Sequence, residues 1–406
     1  MKKLILILIL LISLESKAQY KSDNVLFKTV YPQDLCLELK KNPGFFFLDV
    51  RSKGEYEDSS RFVGLNIGRI KGAYNITVQE LGKRLNEIVA YKDAPVFVYC
   101  SHSQRSRRAS KLLADSGFTH IINVNGGMTA IQQFTEGAFT CLDGLVEERT
   151  PYAVLSALQI CRKMGSNNTD LLIMDVRSDS SFAHISRSPL RNAYGYFRGS
   201  LHIALNDLKT SLDRIPFDKD IVITDEEGDD APLAASLLAK NGYKKLSLLV
   251  EGFERYLNSD KNASGCSEMY LSPVKYSITN AQELSSLLER NKATQFLDIR
   301  PDDEFNNKSS RSFRNIGQIR GALHIPAGDI EKRWNELIPF KNKPLIIYHF
   351  GNDPVMYEIA DSLQNNGFTQ VYVLAGGYFD LRWTGHNVKG FEGLLKWEAN
   401  VPDENK

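Results

Sequence analysis

Short apolar runs recur along this chain, each followed by a stretch with helical periodicity. Phe46-Phe47-Leu48 leads into Asp49-Val50-Arg51, Leu172-Ile173-Met174 into Asp175-Val176-Arg177, and Phe296-Leu297 into Asp298-Ile299-Arg300. A second set comprises Val96-Phe97-Val98-Tyr99, Ile221-Val222-Ile223-Thr224 and Leu345-Ile346-Ile347-Tyr348. Runs that are apolar on both faces predict strands covered on both sides. The helical patterns between them predict a mostly parallel sheet flanked by helices, an α/β fold.

The runs fall into three units. Ile70-Lys71-Gly72-Ala73 reappears as Phe197-Arg198-Gly199-Ser200 and as Ile319-Arg320-Gly321-Ala322, and Gly127, Gly252 and Gly377 recur at a spacing of 125 residues. Solenoid repeats are shorter, roughly 20–50 residues, so this period predicts three tandem domains. Their expected bounds are 26–138, 150–258 and 275–387, with linkers at 138–150 and 258–275 and a tail at 388–406. A serine precedes Arg61, Arg187 and Arg311 at similar places. That predicts a shared structural role for the arginines, holding the loop before the Gly-Ala element.

Before the first unit, Met1-Lys2-Lys3 is followed by an apolar run from Leu4 to Leu14 and by Ser16-Lys17-Ala18. This reads as a signal peptide over 1–18, too short to span a bilayer as a helix, which takes ~20 residues. It predicts a periplasmic or secreted protein with no membrane span after cleavage. The formal net charge of +1, with acids and bases interspersed, excludes a nucleic-acid surface. Of the five cysteines, Cys36 and Cys161 lie on apolar helix faces and read as buried core residues, whereas Cys141 and Cys266 lie in the linkers and are free to pair. No metal-ligand spacing occurs, so no metal or other cofactor is expected.

Candidate chemistry sits after the second strand set. Cys100-Ser101-His102-Ser103-Gln104-Arg105-Ser106 joins an apolar strand to an amphipathic helix. Loop amides and a helix N-terminus at such a junction attract anions, and the same field stabilises a thiolate, the nucleophilic form of cysteine. The corresponding positions in the other units are Asp225 and His349.

The first unit resembles a rhodanese domain, and all three resemble that fold. The resemblance rests on Asp49-Val50-Arg51, on Gly68, Ile70, Gly72 and Ala73, on the Cys100-to-Ser106 loop and on Gly126-Gly127. It implies sulfur transfer. Cys100 takes the outer sulfur of a donor such as thiosulfate as a persulfide and passes it to a thiol or cyanide. The residues from Ser101 to Ser106 line the donor site, Arg105 grips the anionic donor with its planar fork, and Asp49 and Arg51 support the loop. Two positions depart from the family. Ser103 stands where glycine is usual, which predicts a reshaped loop, and Arg69 stands where histidine is common.

The loop Asp225-Glu226-Glu227-Gly228-Asp229-Asp230 repels an anionic donor, and the third unit's His349-Phe350-Gly351-Asn352-Asp353-Pro354 has neither thiol nor arginine. Units two and three therefore read as inactive, positioning the first or binding a protein partner. Three rival readings stay open. One is a non-catalytic scaffold of rhodanese modules. Another is a thiol redox protein. The third is a phosphatase or arsenate reductase, whose loops carry one more residue between cysteine and arginine.

Overall fold

The computed structural model describes residues 26–133, 141, 144–165, 169–258, 268–291 and 293–402. The signal-peptide reading and Cys266 lie outside the described residues. Each unit is built on a five-stranded sheet with the same order. In unit one the strands run Lys28–Val30, Ile121–Val124, Val96–Tyr99, Phe46–Asp49 and Tyr74–Asn75 across the sheet, all parallel to their neighbours. Units two and three repeat this with Asp220–Thr224 and Leu345–Tyr348 at the centre. The central strands are buried at every position in units one and three, as their unbroken apolar runs require.

The Asp-x-Arg signature explains itself in three dimensions. Arg51 folds back on Asp49, with Nε 3.0 Å and Nη2 2.8 Å from Oδ2, and Nη2 also donates to the Gly68 carbonyl at 2.9 Å. Arg177 does the same with Asp175 and Gly195, and Arg300 with Asp298 and Gly317. All six charged side chains of these pairs are fully buried. Each pair fastens the end of one strand to the loop that leads into the Gly-Ala element. The loop itself is held by asparagine rather than by the arginine expected from the sequence. Asn66 brackets Ser60, Asn192 brackets Ser186 and Asn315 brackets Ser309, each through one bond to the serine N–H and one to its carbonyl. A short side-chain amide supplies both a donor and an acceptor, which guanidinium cannot.

The segments read as linkers and tail return to their own units. Val146–Glu147 pairs antiparallel with Arg69–Ile70, Tyr270–Leu271 with Tyr196–Phe197, and Glu398–Ala399 with Gln318–Ile319. The units are also fused to one another. One apolar cluster joins Phe47, Phe97 and Ile122 of unit one to Met174, Ile223 and Leu238 of unit two. Another joins Ala193 of unit two to Leu297 and Tyr357 of unit three.

Cys161 is buried in the core as expected, but the pairing of the cysteines differs from expectation. Cys36 forms a disulfide with Cys141, closing a separation of 105 residues, and Cys161 is disulfide-bonded as well. Cys36 is only half-buried, at the rim of its helix's apolar face, where the returning segment reaches it. Among the described residues Cys100 is the free cysteine. No described helix is long and apolar enough to cross a membrane.

Two outcomes follow from this packing. Asp49→Ala leaves a buried guanidinium uncompensated and is expected to cost about 3–5 kcal/mol, read as a lowered urea midpoint. The double substitution Cys36→Ser, Cys141→Ser is expected to cost about 2–5 kcal/mol in the same measurement, through the freedom it returns to the unfolded chain.

Candidate active site

Cys100 follows the central strand of unit one, at the carboxyl end of the sheet, where parallel α/β sheets place their sites. The helix Gln104–Asp115 begins four residues later, with its first amides aimed back at the loop. The loop is pinned from below by the closing helix Gly127–Gln133: Met128 N–H donates to the Cys100 carbonyl at 2.9 Å and Thr129 N–H to the Ser101 carbonyl at 3.0 Å. Gly127 has φ +56, and a Cβ there would meet the Cys100 carbonyl oxygen at 2.1 Å. The equivalent Gly252 and Gly377 make the same close approach to the loops of units two and three. This contact accounts for the glycine spacing in the sequence.

Cys100 is 1 % exposed and lines a cavity of about 580 Å³. Its Sγ lies 3.6 Å from Ser106 Oγ, whose own O–H donates to the Ser103 carbonyl. Ser103 has φ −164, outside the left-handed region, so its backbone does not require glycine. Its hydroxyl sits between the His102 carbonyl and Asn125 Oδ1 and accepts from Gly126 N–H at 2.8 Å.

Arg105 faces the cavity, but its fork is already occupied. Nη1 and Nη2 each lie 2.7 Å from a Glu55 oxygen, and Nη2 also donates to Ser101 Oγ at 2.7 Å. In this structure the fork engages a carboxylate of the protein. Burial alone pushes Glu55 up, but the bonds from Arg105 and Ser52 hold it down at about 2. Glu55 was not anticipated, although Ser52-x-x-Glu55 is a capping-box signature visible in the sequence, and the box is formed.

The chain of bonds continues into unit two. His102 Nε2 lies 2.9 Å from Glu251 Oε1, and Nδ1 lies 2.9 Å from Ser101 Oγ. A carboxylate only accepts, so Nε2 carries a proton and donates it to Glu251. Thr129 donates to the same Glu251 oxygen at 3.0 Å. Burial raises Glu251, and the His102 bond and the Arg255 charge outweigh it, leaving the carboxyl at about 2. Unit three contributes Asn387, whose Oδ1 accepts from Arg107 Nη2 and from Asn125 Nδ2, both at 2.7 Å. The cavity wall opposite Cys100 is completed by Arg255 of unit two and by Phe379, Asp380 and Trp383 of unit three. No sequence signal marks these, because they reach the site only through the packing of the units. Gln104 lines the rim, while Asp49 and Arg51 are buried behind the loop and do not line the cavity.

Unit two shows what such a loop holds. Asp225 takes the position of Cys100, and its carboxylate accepts N–H bonds from Gly228, Asp230 and Ala231 at 3.0, 2.9 and 2.8 Å. The loop amides converge on one carboxyl group, although burial pushes it up to about 7 against the lowering effect of those amides. Among the described residues there is no cluster of three or more His, Cys, Asp or Glu able to hold a metal.

The Rhodanese-like domain profile matches residues 33–134, 158–259 and 280–382. A Bacillus subtilis relative, the uncharacterized protein YqhL, is 34% identical over 110 residues, 27% of this chain and 76% of its own length. The thiosulfate sulfurtransferase PspE of Escherichia coli is 30% identical over 80 residues, 20% of this chain and 68% of its own length. Among solved structures, a thiosulfate sulfurtransferase from Pseudomonas aeruginosa is 14% identical with a TM-score of 0.22, over 91% of this chain and 73% of that one. With three profile matches that together span most of its length, the chain belongs to the rhodanese-like family.

Proposed function

We propose that the protein is an exported sulfurtransferase with one working unit, acting through Cys100. The observation that carries this reading is the occupied loop of unit two. Three amides there hold a carboxyl group, and the corresponding loop in unit one presents a buried free thiol at the wall of a cavity. A thiolate and a persulfide are both anions suited to such a cradle.

In the first step the Cys100 thiolate attacks the outer sulfur of a donor such as thiosulfate. A bond forms from Sγ to that sulfur, the donor's S–S bond breaks, and its electron pair leaves with sulfite. In the second step an acceptor thiolate, or cyanide, attacks the outer sulfur and the electron pair returns to Cys100. The two steps balance without a metal or organic cofactor.

Units two and three serve as partners of the site. Asp225 already fills its own loop, and unit one covers that loop, so that a Cβ on Gly64 would meet the Gly228 carbonyl oxygen at 2.8 Å. His349 offers no sulfur. A redox cycle needs a resolving thiol, and Cys36, Cys141 and Cys161 are all engaged in disulfides. Disulfides favour an oxidising compartment, in keeping with the leader-like N-terminus. The five-position step from Cys100 to Arg105 weighs against phosphatase or arsenate reductase chemistry.

The reading is tested by intact mass after thiosulfate treatment. A gain of about 32 Da, one sulfur on the nucleophile, is expected in the wild type and absent in Cys100→Ser, together with loss of turnover. No gain with any of several donors would leave the scaffold reading in its place. A second outcome concerns the frame around the loop. Glu55 titrates in the folded protein below its unfolded value of about 4.3. Its bonds to Arg105 and Ser52 therefore stabilise the fold above that pH, and the contribution is lost as pH falls toward about 2. The melting temperature of the wild type is expected to drop more steeply across this window than that of Glu55→Gln; equal slopes would remove Glu55 from the frame.

A further inference from the structure

The cavity over Cys100 is much larger than a sulfur donor needs. Thiosulfate has few heavy atoms, whereas about 580 Å³ falls in the range of pockets that enclose organic molecules. Its lining is also uneven. Unit one supplies the thiol and three arginines, Arg105, Arg107 and Arg108. Arg105 is neutralised by Glu55, and Arg107 is tied to Asn387. Unit two supplies Arg255, which gives Nη2 to Gln133 and keeps a buried Nε without a hydrogen-bond partner, 3.8 Å from Glu251. Unit three supplies two aromatic faces, Phe379 and Trp383, and the one acid of the lining, Asp380. With Glu55 set against Arg105 and Glu251 and Asp380 against Arg255, four arginines face three acids, a balance that still favours an anion. Two aromatic rings favour an organic body.

Resting on the sulfur-transfer reading above, we propose that Arg255, Phe379 and Trp383 form the acceptor site, and that the acceptor is a small organic thiol carrying a carboxylate. The carboxylate meets Arg255 and the organic body lies against the two rings. Its sulfur, deprotonated to solvent, attacks the outer sulfur on Cys100. A new S–S bond forms to the acceptor as the bond to Cys100 breaks and its electron pair returns to Sγ. In this arrangement the units that lack a thiol select what receives the sulfur. The closing helices Gly252–Leu257 and Gly377–Asn387 carry all three residues. They are held against the catalytic loop by the Glu251–His102 and Asn387–Arg107 bonds.

The test uses the full chain loaded with thiosulfate and four acceptors: 3-mercaptopropionate, 2-mercaptoethanol, cysteamine and cyanide. The wild type is expected to favour the anionic thiol over the cationic one by about tenfold or more in kcat/KM, corrected for thiolate fraction, the scale of one charged hydrogen bond. Arg255→Gln is expected to lower kcat/KM for 3-mercaptopropionate about tenfold more than for cyanide, which is too small to span the site. Trp383→Phe is expected to raise KM for both uncharged and anionic organic thiols relative to cyanide. No charge preference in the wild type, or equal losses for cyanide and the thiols in both variants, would overturn the proposal. If the wild type forms no persulfide, sulfur transfer itself fails, and binding of 3-(methylthio)propionate by tryptophan fluorescence decides the cavity separately. Quenching that weakens in Arg255→Gln supports an anionic organic ligand there. No binding removes it.

Discussion

A guanidinium buried beside a carboxylate two residues away, used three times over, holds this molecule in shape. Taking both charges out of water is expensive, and the cost is offset only because the geometry is nearly complete: a two-point contact with the aspartate and a third bond to a backbone carbonyl. Through that carbonyl each pair fixes where the chain turns after the strand Phe46–Asp49 or its counterparts. The neighbouring central strand then ends at a defined height, and its loop begins there. Arg51 therefore governs the position of Cys100 without lining the cavity.

Around this repeated frame the three units diverge at one place. Where a loop amide cluster faces an anion, unit one has a thiol, unit two its own carboxylate and unit three a histidine. The scaffold tolerates all three because the residues that follow each closing glycine bond to the loop's backbone carbonyls, Met128 and Thr129 in unit one, Phe253 and Glu254 in unit two, Tyr378 and Phe379 in unit three. Chemistry has been varied at a position where the fold makes no demand on the side chain.

Most of the architecture was legible in the sequence, and the reasons are physical. Doubly buried parallel strands leave unbroken apolar runs, and a Cβ-sized clash leaves an invariant-looking glycine at each Gly127 equivalent. The place of Cys100, between a central strand and a helix start at the carboxyl end of the sheet, was legible because strand end, cysteine and helix start coincide in the sequence. What escaped was everything decided across units. Glu251, Asn387, Arg255 and Trp383 lie far from Cys100 in sequence and carry no local pattern. Arg105 was placed at the loop, but its partner Glu55 was missed because the short helix it caps looks like an ordinary turn. The disulfide Cys36–Cys141 was missed because the apolar side of a helix was taken to be its buried side.

The bond from Asn387 to Arg107 has a consequence for how such a chain can change over time. A residue near the end of the third unit holds the first turn of the helix that follows Cys100. Units two and three have no thiol at the position of Cys100, and packed alone they would be free to vary there. Here drift in the third is felt at the thiol of the first. A chain shortened to its first unit would therefore lose part of the cavity wall around Cys100 along with the other two domains.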